Sequence, residues 1–303
     1  MNRRQYYHAW LSSFRLQTLP LAVATILIAN ALAYWQGQFS FKVFLLTLLT
    51  AVLLQITSNL ANDYGDFSKQ TDTCERLGPL RGIHHGVITL NQLRLVLCLT
   101  ICVSVVSGLW LLLVSTTSYE QLYFFIGLGF LSIVAAVTYT VGKKPYGYIG
   151  LGDLSVLMFF GFVGIMGSYY LQTNELGAWL ILPAISSGFL SMGVLNINNM
   201  RDYEQDEKAG KRTLVVMMGL SWAKSYQISL LLTSLGVLII FVVSYLPLSA
   251  LWIFLVLIPL YLRQVYEVSI EDKFVGNLLV PMVRLNLSTA LLLSCAILFS
   301  MTE

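Results

Sequence analysis

Long apolar runs, almost free of charged residues, recur along this chain and constrain its fold more than any other feature. About 20 apolar residues are needed to cross a hydrocarbon layer about 30 Å thick, and the 303-residue sequence contains many such runs. Only 11% of its residues are charged, whereas about a quarter are charged in a soluble domain. A soluble globular protein is therefore excluded, and an all-α, multi-pass membrane protein is predicted. The net charge of +3 is small, and no basic face for nucleic acid is visible.

Nine runs are long and apolar enough to be membrane helices. They are expected near 14–35, 41–61, 92–115, 119–141, 150–171, 178–199, 222–245, 247–263 and 279–301. The eighth run is short and contains Pro259, so its limits are the least defined. We expect these helices to form one integral-membrane domain over residues 1–303.

The distribution of lysine and arginine predicts the orientation of the chain. Nine spans place the two termini on opposite sides, and basic residues are enriched in cytoplasmic loops. With the N-terminus inside, only Lys42 of the 18 basic residues falls on the outer side. We therefore expect a cytoplasmic N-terminus in the inner membrane, with the long loops near 62–91 and 199–221 facing the cytoplasm.

An acidic cluster closes the second span with the letters NDYGD. If the helix continues one turn past Asn62, this residue and Asp66 share a face at i and i+4. Asp63 lies one step round the helix, and Asp72 lies in the following loop. These oxygen-bearing side chains form the first motif.

A similar cluster closes the sixth span with the letters NNMRD. Asn198, Asp202 and Asp206 fall at i, i+4 and i+8 and form the second motif. The two clusters share the spacing from Asn to Asp, and an even number of spans separates them. We therefore expect a parallel repeat with both acidic ends on one side of the membrane.

The chemistry of the two motifs favours a hard cation and a phosphate. Carboxylate and amide oxygens without His or Cys suit Mg²⁺, which proteins often hold together with substrate phosphates. A solvated, charge-balanced loop is the alternative, but it gives no reason for two matched clusters. The predicted ligand is a Mg²⁺-bound diphosphate, because basic side chains lie beside the acids: Arg76, Arg81, Arg201, Lys208, Lys211 and Arg212.

Three ordered motifs resemble those of the intramembrane prenyltransferases of the UbiA superfamily. They are NLANDYGDFSKQTD with RLGPLRG, then YTVGKKPYGYIGLGD, then NINNMRDYEQDEKAGKRTL. The resemblance covers nearly the whole chain and is strongest to the branch that prenylates 1,4-dihydroxy-2-naphthoate in menaquinone biosynthesis. It implies a helical bundle around a central cavity that opens laterally to lipid. It also implies transfer of a polyprenyl chain from a polyprenyl diphosphate to the naphthoate ring, with loss of the carboxylate, giving demethylmenaquinone.

The resemblance also implies which residues organise Mg²⁺ and the diphosphate. The common superfamily pattern is NDxxDxxxD, whereas Asp66 and Asp72 are six residues apart here. This spacing leaves open whether Asp63 or Asp72 is the second partner of Asp66, and Asn199 is a further alternate. The expected metal ligands are Asn62, Asp66, Asp72, Asn198, Asp202 and Asp206.

Several basic side chains are candidates for binding substrate anions. Arg15, at the inner end of the first span, contacts the aromatic acid or snorkels to the interface. Lys143 and Lys144 follow the fourth span and either bind a substrate anion or anchor the chain at the inner surface. The candidate phosphate clamps are Arg201, Lys211, Arg212 and, with less support, Arg81.

Two tyrosines and one aspartate complete the candidate set. Tyr139 and Tyr148 place ring faces near an allylic cation, or they are ordinary interfacial tyrosines. Asp153 polarises a phenol of the acceptor or joins the polar cavity, unless it caps the fifth span.

Two alternatives to this function remain open. An enzyme with the same scaffold takes another acceptor, such as 4-hydroxybenzoate, and shares the metal and diphosphate chemistry. A transporter would carry ionisable residues near mid-span and interrupted helices around an ion site, but the acids here lie at or beyond the span ends.

Overall fold

A computed structural model of the chain describes residues 3–69, 82–83, 86–270 and 275–301. Within these residues there is no strand, and nine helical stretches are long and apolar enough to cross a membrane. This confirms the all-α class and the predicted spans. The helices are α1 Arg3–Phe14, α2 Leu19–Trp35, α3 Phe41–Ser68, α4 Leu90–Ser115, α5 Tyr119–Thr138, α6 Gly152–Thr173, α7 Ile181–Arg201, α8 Tyr203–Lys208, α9 Leu214–Met218, α10 Leu220–Tyr245, α11 Ile253–Ile270 and α12 Leu279–Phe299.

Short 3₁₀ turns connect or extend several of these helices. They are Leu16–Thr18, Tyr146–Ile149, Ala178–Leu180, Leu248–Trp252 and Val275–Leu278. The middle of α6, Leu157–Gly167, has the wider π-helical hydrogen bonding, which is frequent at functional sites.

Three helix limits differ from those expected from hydropathy. α3 continues to Ser68 and α11 to Ile270, beyond the predicted ends near 61 and 263. Charged and polar residues lower the hydropathy of these last turns without ending the helix, and Arg263 donates to Glu267 one turn later at 2.7 Å. The first span is broken at Arg15, whose backbone is left-handed, so that α1 and α2 are separate helices.

The bundle has an inner and an outer set of helices. α2 packs against α3, α6 and α12, and α7 packs against α6, α10 and α12. In the most apolar 18-residue stretch of α7, 72% of the residues are buried inside the protein. In the corresponding stretch of α5, only 6% are buried. α7 is therefore a central helix, and α5 lies at the periphery, where its apolar side chains face lipid.

Candidate active site

A cavity of about 580 Å³ lies inside the bundle between α2, α3, α4, α5, α6 and α7. On α3 its lining extends from Thr47 to Asp66, a distance of about 28 Å at 1.5 Å per residue. Most of the lining is apolar, but the end of the cavity beside the C-terminal ends of α3 and α7 is polar. The polar end includes Arg15, Asn62, Asp66, Tyr139, Asn198, Asn199, Asp202, Asp206 and Lys211. The structure thus brings the two predicted motifs to one site.

The end of α3 positions the first motif by packing directly on the chain that follows α5. The Thr140 hydroxyl donates to the carbonyl of Ala61 at 3.0 Å and lies 3.4 Å from Asn62 Oδ1. A Cβ on Gly65 would lie 2.8 Å from the backbone carbon of Thr140. Because only glycine allows this approach, the position of Asp66 depends on the residue before it.

Asp63 is paired with Arg15 in the described part of the chain. Arg15 Nη2 donates to Asp63 Oδ1 at 2.9 Å, and the Asp63 side chain is fully buried. Arg15 lines the cavity, whereas Asp63 lies behind it. Asp72, the other candidate partner of Asp66, lies outside the described residues, as does Arg81, so the choice between Asp63 and Asp72 stays open.

Arg15 has two unusual features besides this ion pair. Its backbone adopts φ 50 and ψ 55. This left-handed conformation is energetically unfavourable for any residue other than glycine, and residues that adopt it are concentrated at functional sites. Its Nε is buried without a hydrogen-bond partner among the described residues. A cationic side chain with an unused donor is thus held at the cavity wall.

The second motif is kept on one helical line across the junction between α7 and α8. The Asp202 N–H donates to the Asn198 carbonyl at 3.1 Å, and the Asp206 N–H donates to the Asp202 carbonyl at 2.9 Å. Arg201 binds Asp202 with Nε to Oδ1 at 2.7 Å and Nη2 to Oδ2 at 2.6 Å. Arg201 Nη2 also donates to Asn198 Oδ1 at 2.8 Å. Arg201 therefore holds two members of the motif, in addition to its predicted role with phosphate.

Lys211 lies between the two motifs. Its Nζ is 3.2 Å from Asp206 Oδ1. Burial lowers the pKa of Lys211, but the carboxylates of Asp66, Asp206 and Asp202 raise it further, so the net pKa is above its ordinary value. The side chain stays protonated and places a fixed positive charge at the polar end of the cavity.

Asp206 is a buried carboxylate with one oxygen paired to Lys211. Burial raises its pKa to about 6; Lys211 opposes this shift, and Asp202 and Asp66 add to it. Its Oδ2 is buried and has no hydrogen-bond partner in the described part of the structure. An additional cation at this oxygen would stabilise the charged form.

These donors fit Mg²⁺ held jointly with a phosphate better than a metal held by protein alone. The polar end offers carboxylate and amide oxygens, the ligands that Mg²⁺ prefers. Among the described residues, no three His, Cys, Asp or Glu side chains converge closely enough to form a complete metal site. Mg²⁺ typically binds one or two carboxylates and completes its shell with phosphate and water, which matches this arrangement.

Tyr139 lines the cavity, whereas Lys143 and Lys144 do not. The Tyr139 ring meets Tyr146 edge to face at 5.3 Å, and burial raises the pKa of its phenol. Tyr139 therefore presents a neutral ring to the cavity. The side chains of Lys143 and Lys144 are exposed, outside the described lining.

Tyr148, Arg212 and Asp153 also lie outside the described lining of the cavity. The Tyr148 ring, predicted to face an allylic cation, is instead covered by the ammonium groups of Lys69 and Lys211. The Arg212 side chain is exposed, and its backbone N–H donates to the Tyr148 carbonyl at 3.0 Å. Asp153, the second residue of α6, is buried and accepts from the Tyr226 hydroxyl at 3.2 Å.

Sequence reasoning missed several residues that support the site. Thr140 contacts Asn62 of the first motif, Tyr226 contacts Asp153, and Gln205 lines the cavity next to Asp206. The contacts of Thr140 and Tyr226 join residues far apart in the chain, so their spacing carries no signal. Gln205 could have been found from its place next to Asp206.

Comparisons with known proteins agree with this geometry. The sequence profile described as the UbiA prenyltransferase family matches residues 22–273. A relative from Escherichia coli, named 1,4-dihydroxy-2-naphthoate octaprenyltransferase, is 50% identical over 263 residues, which cover 87% of this chain and 85% of the relative. A relative of the same name from Haemophilus influenzae is 52% identical over 224 residues, 73% of each chain. A solved UbiA homolog from Archaeoglobus fulgidus bound to DMAPP and Mg²⁺ shares the fold, with a TM-score of 0.62, 16% identity, and coverage of 94% of this chain and 98% of that chain.

Proposed function

Because the chain belongs to the UbiA prenyltransferase family, we propose that it transfers a polyprenyl chain from an allylic diphosphate to 1,4-dihydroxy-2-naphthoate. The bond between the allylic carbon and the diphosphate oxygen breaks, and a carbon–carbon bond forms at the ring. The ring carboxylate leaves as CO₂ and both ring hydroxyls stay reduced, so the products are the quinol form of demethylmenaquinone, CO₂ and diphosphate. The main support for this proposal is that two acidic helix ends line the polar end of one long apolar cavity.

The polar end binds the diphosphate group. Asp66, Asp202 and Asp206 would hold Mg²⁺ with the amide oxygens of Asn62 and Asn198, and Asp72 belongs to the proposed set. When bound, Mg²⁺ supplies positive charge that stabilises the leaving diphosphate. Lys211 adds a protein cation at the same place, since its ammonium is buried among the motif carboxylates.

The apolar body of the cavity holds the first part of the prenyl chain and keeps water away from the allylic cation. The Tyr139 ring lies at the polar end, where its electron-rich face stabilises positive charge on the allylic carbon. Because burial keeps its phenol protonated, this side chain acts through its ring rather than as a phenolate.

Arg15 binds the carboxylate of the naphthoate. It lines the cavity near the first motif and carries a buried Nε that has no partner among the described residues. Asp63 fixes one side of its guanidinium at 2.9 Å, so the remaining donors keep a constant direction. Guanidinium groups bind carboxylates with two parallel hydrogen bonds.

Replacing Arg15 with lysine tests this assignment. Arg15→Lys keeps the charge beside Asp63 but loses the planar pair of donors, so we expect the KM for the naphthoate to rise about tenfold, roughly 1.4 kcal/mol. The KM for the prenyl diphosphate should stay close to that of the unchanged protein. Equal increases in both KM values would contradict a role at the acceptor.

The location of the reaction follows from the charge distribution. With the N-terminus in the cytoplasm, nearly all basic residues lie on the inner side of an inner membrane. The polar end of the cavity then faces the cytoplasm, where water-soluble naphthoate and diphosphate exchange. The bilayer supplies the polyprenyl tail, because the tail partitions into lipid while its diphosphate stays at the interface.

The choice of acceptor is tested with purified protein, Mg²⁺ and farnesyl diphosphate. We expect prenylated product and CO₂ with 1,4-dihydroxy-2-naphthoate and no product with 4-hydroxybenzoate, measured by chromatography with mass detection. Conversion of only the benzoate would overturn the acceptor and leave prenyl transfer intact. Absence of product with every aromatic acceptor would overturn the proposed function.

A further inference from the structure

One turn of the chain contacts the first motif and the loop that follows the second motif. We call it the bridging turn and define it as residues 145–150, which include the 3₁₀ helix Tyr146–Ile149. Its central side chain, Tyr148, reaches the first motif through its hydroxyl and the loop after the second motif through its ring and carbonyl. These contacts join three parts of the chain that are remote in sequence.

The contact with the first motif is a hydrogen bond to a predicted metal ligand. The Tyr148 hydroxyl donates to Asp66 Oδ1 at 2.8 Å. Asp66 is 9% exposed, so bulk water competes little for this oxygen. A hydrogen bond to one carboxylate oxygen restricts rotation of the carboxylate and so fixes the direction of its ligand oxygens.

The bridging turn reaches the second motif indirectly, through the loop between α8 and α9. The Arg212 N–H donates to the Tyr148 carbonyl at 3.0 Å. Lys211, which pairs with Asp206, places its Nζ 5.5 Å from the centre of the Tyr148 ring, and Lys69 places its own at 4.7 Å. Both distances are within the range of cation–π attraction, so the ring links a lysine from each loop.

The glycine at the end of the bridging turn allows this close approach. Gly150 has φ +81, a left-handed conformation that disfavours a side chain. A Cβ there would also meet the methyl group of Met217 on α9. The turn therefore lies against the end of the Met217 side chain, and its left-handed backbone at Gly150 is what a larger residue would strain.

We propose that Tyr148 is a positioning residue that orients Asp66 and fixes the separation of the two motifs, so that they bind a metal-bound diphosphate together. This rests on the proposed function only in the identity of the ligand. Tyr148 does not touch the acceptor or the prenyl chain, because it lies outside the described lining of the cavity. Its effect should therefore appear in metal binding and not in acceptor affinity.

The test compares Tyr148→Phe with Tyr170→Phe as a matched control. Both variants lose one hydrogen-bonded hydroxyl and keep the ring, and Tyr170 pairs with Gln121 at 2.9 Å away from the motifs. Mn²⁺ binding in the presence of farnesyl thiodiphosphate is followed by electron paramagnetic resonance. We expect the dissociation constant of Mn²⁺ to rise about tenfold in Tyr148→Phe, the lower end of the range for residues that orient metal ligands, and to stay unchanged in Tyr170→Phe.

Turnover gives a second readout. In Tyr148→Phe the Mg²⁺ concentration for half-maximal rate should rise by a similar factor, with an unchanged KM for the aromatic acceptor. Unchanged Mn²⁺ binding in folded Tyr148→Phe protein would overturn the proposal. If that variant does not fold, Gly150→Ala replaces it; it leaves the hydroxyl present but moves the turn, and normal Mn²⁺ binding there would overturn the proposal equally.

The metal titration contains no acceptor, so its result is independent of the acceptor chemistry. Weaker Mn²⁺ binding in Tyr148→Phe, together with no naphthoate product from the unchanged protein, would support the positioning role and overturn the proposed function. Normal binding together with naphthoate prenylation would do the reverse.

Discussion

Asp66→Ala and Asp202→Ala should each abolish prenyl transfer while leaving the protein folded in the membrane. Each variant removes one carboxylate from one motif, and both motifs line the polar end of the same cavity. Removing one protein group that stabilises transition-state charge commonly costs about 10²–10³ in rate, and loss of a metal ligand should cost at least as much. The rate of naphthoate prenylation at saturating Mg²⁺ and both substrates measures the effect.

Glu207→Gln is the matched control for these two variants. Glu207 is an exposed acid in α8, one residue after Asp206. Its replacement by glutamine changes the charge of the same region without removing a side chain of the site. We expect wild-type turnover for Glu207→Gln and unchanged elution of all three variants on size exclusion. Substantial activity in either aspartate variant would show that the two motifs do not act together.

Gly65→Ala should reduce turnover by about 100-fold although it adds only one methyl group. The new Cβ would lie 2.5 Å from Thr140 Oγ1 and 2.8 Å from the Thr140 backbone carbon. Because a backbone atom cannot rotate away, the end of α3 must shift and carry Asp66 with it. A misplacement of about 1 Å at a reacting site can cost about 10²-fold in rate.

The control for this variant is Gly127→Ala in α5. No atom lies within 4 Å of a Cβ at Gly127, and alanine is a better helix former than glycine. Gly127→Ala should therefore retain full turnover and be slightly more stable to heat. If Gly65→Ala were as active as Gly127→Ala, the close packing of α3 on Thr140 would have no part in positioning the motif.

The parts of the fold that follow from local patterns could be predicted from the sequence. The apolar runs predicted the nine spans. The spacing of Asn198, Asp202 and Asp206 predicted that their side chains share one helix face, and this holds because backbone hydrogen bonds continue through the junction of α7 and α8. The helix limits were less accurate. Hydropathy falls where a helix leaves the lipid, whereas α3 ends only at Ser68, after the whole first motif.

The parts that depend on tertiary contact could not be predicted. Arg201 and Asp202 are neighbours in sequence, and adjacent side chains of a regular helix do not face each other. They pair at 2.6 Å at the end of α7, where the Asp202 backbone has φ −92 and ψ 9 although the i to i−4 hydrogen bonds continue. The positions of Arg15 beside Asp63 and of Tyr148 beside Asp66 likewise depend on helix packing, which sequence spacing does not record.

Binding of farnesyl thiodiphosphate, a poorly reactive diphosphate, can be measured by calorimetry in detergent. The central claim is that the ends of α3 and α7 hold one metal-bound diphosphate between them. We expect saturable binding with Mg²⁺, loss of binding when a chelator is present, and the same loss in Asp66→Asn and in Asp202→Asn. Tight binding without Mg²⁺, or binding that survives in either variant, would contradict it.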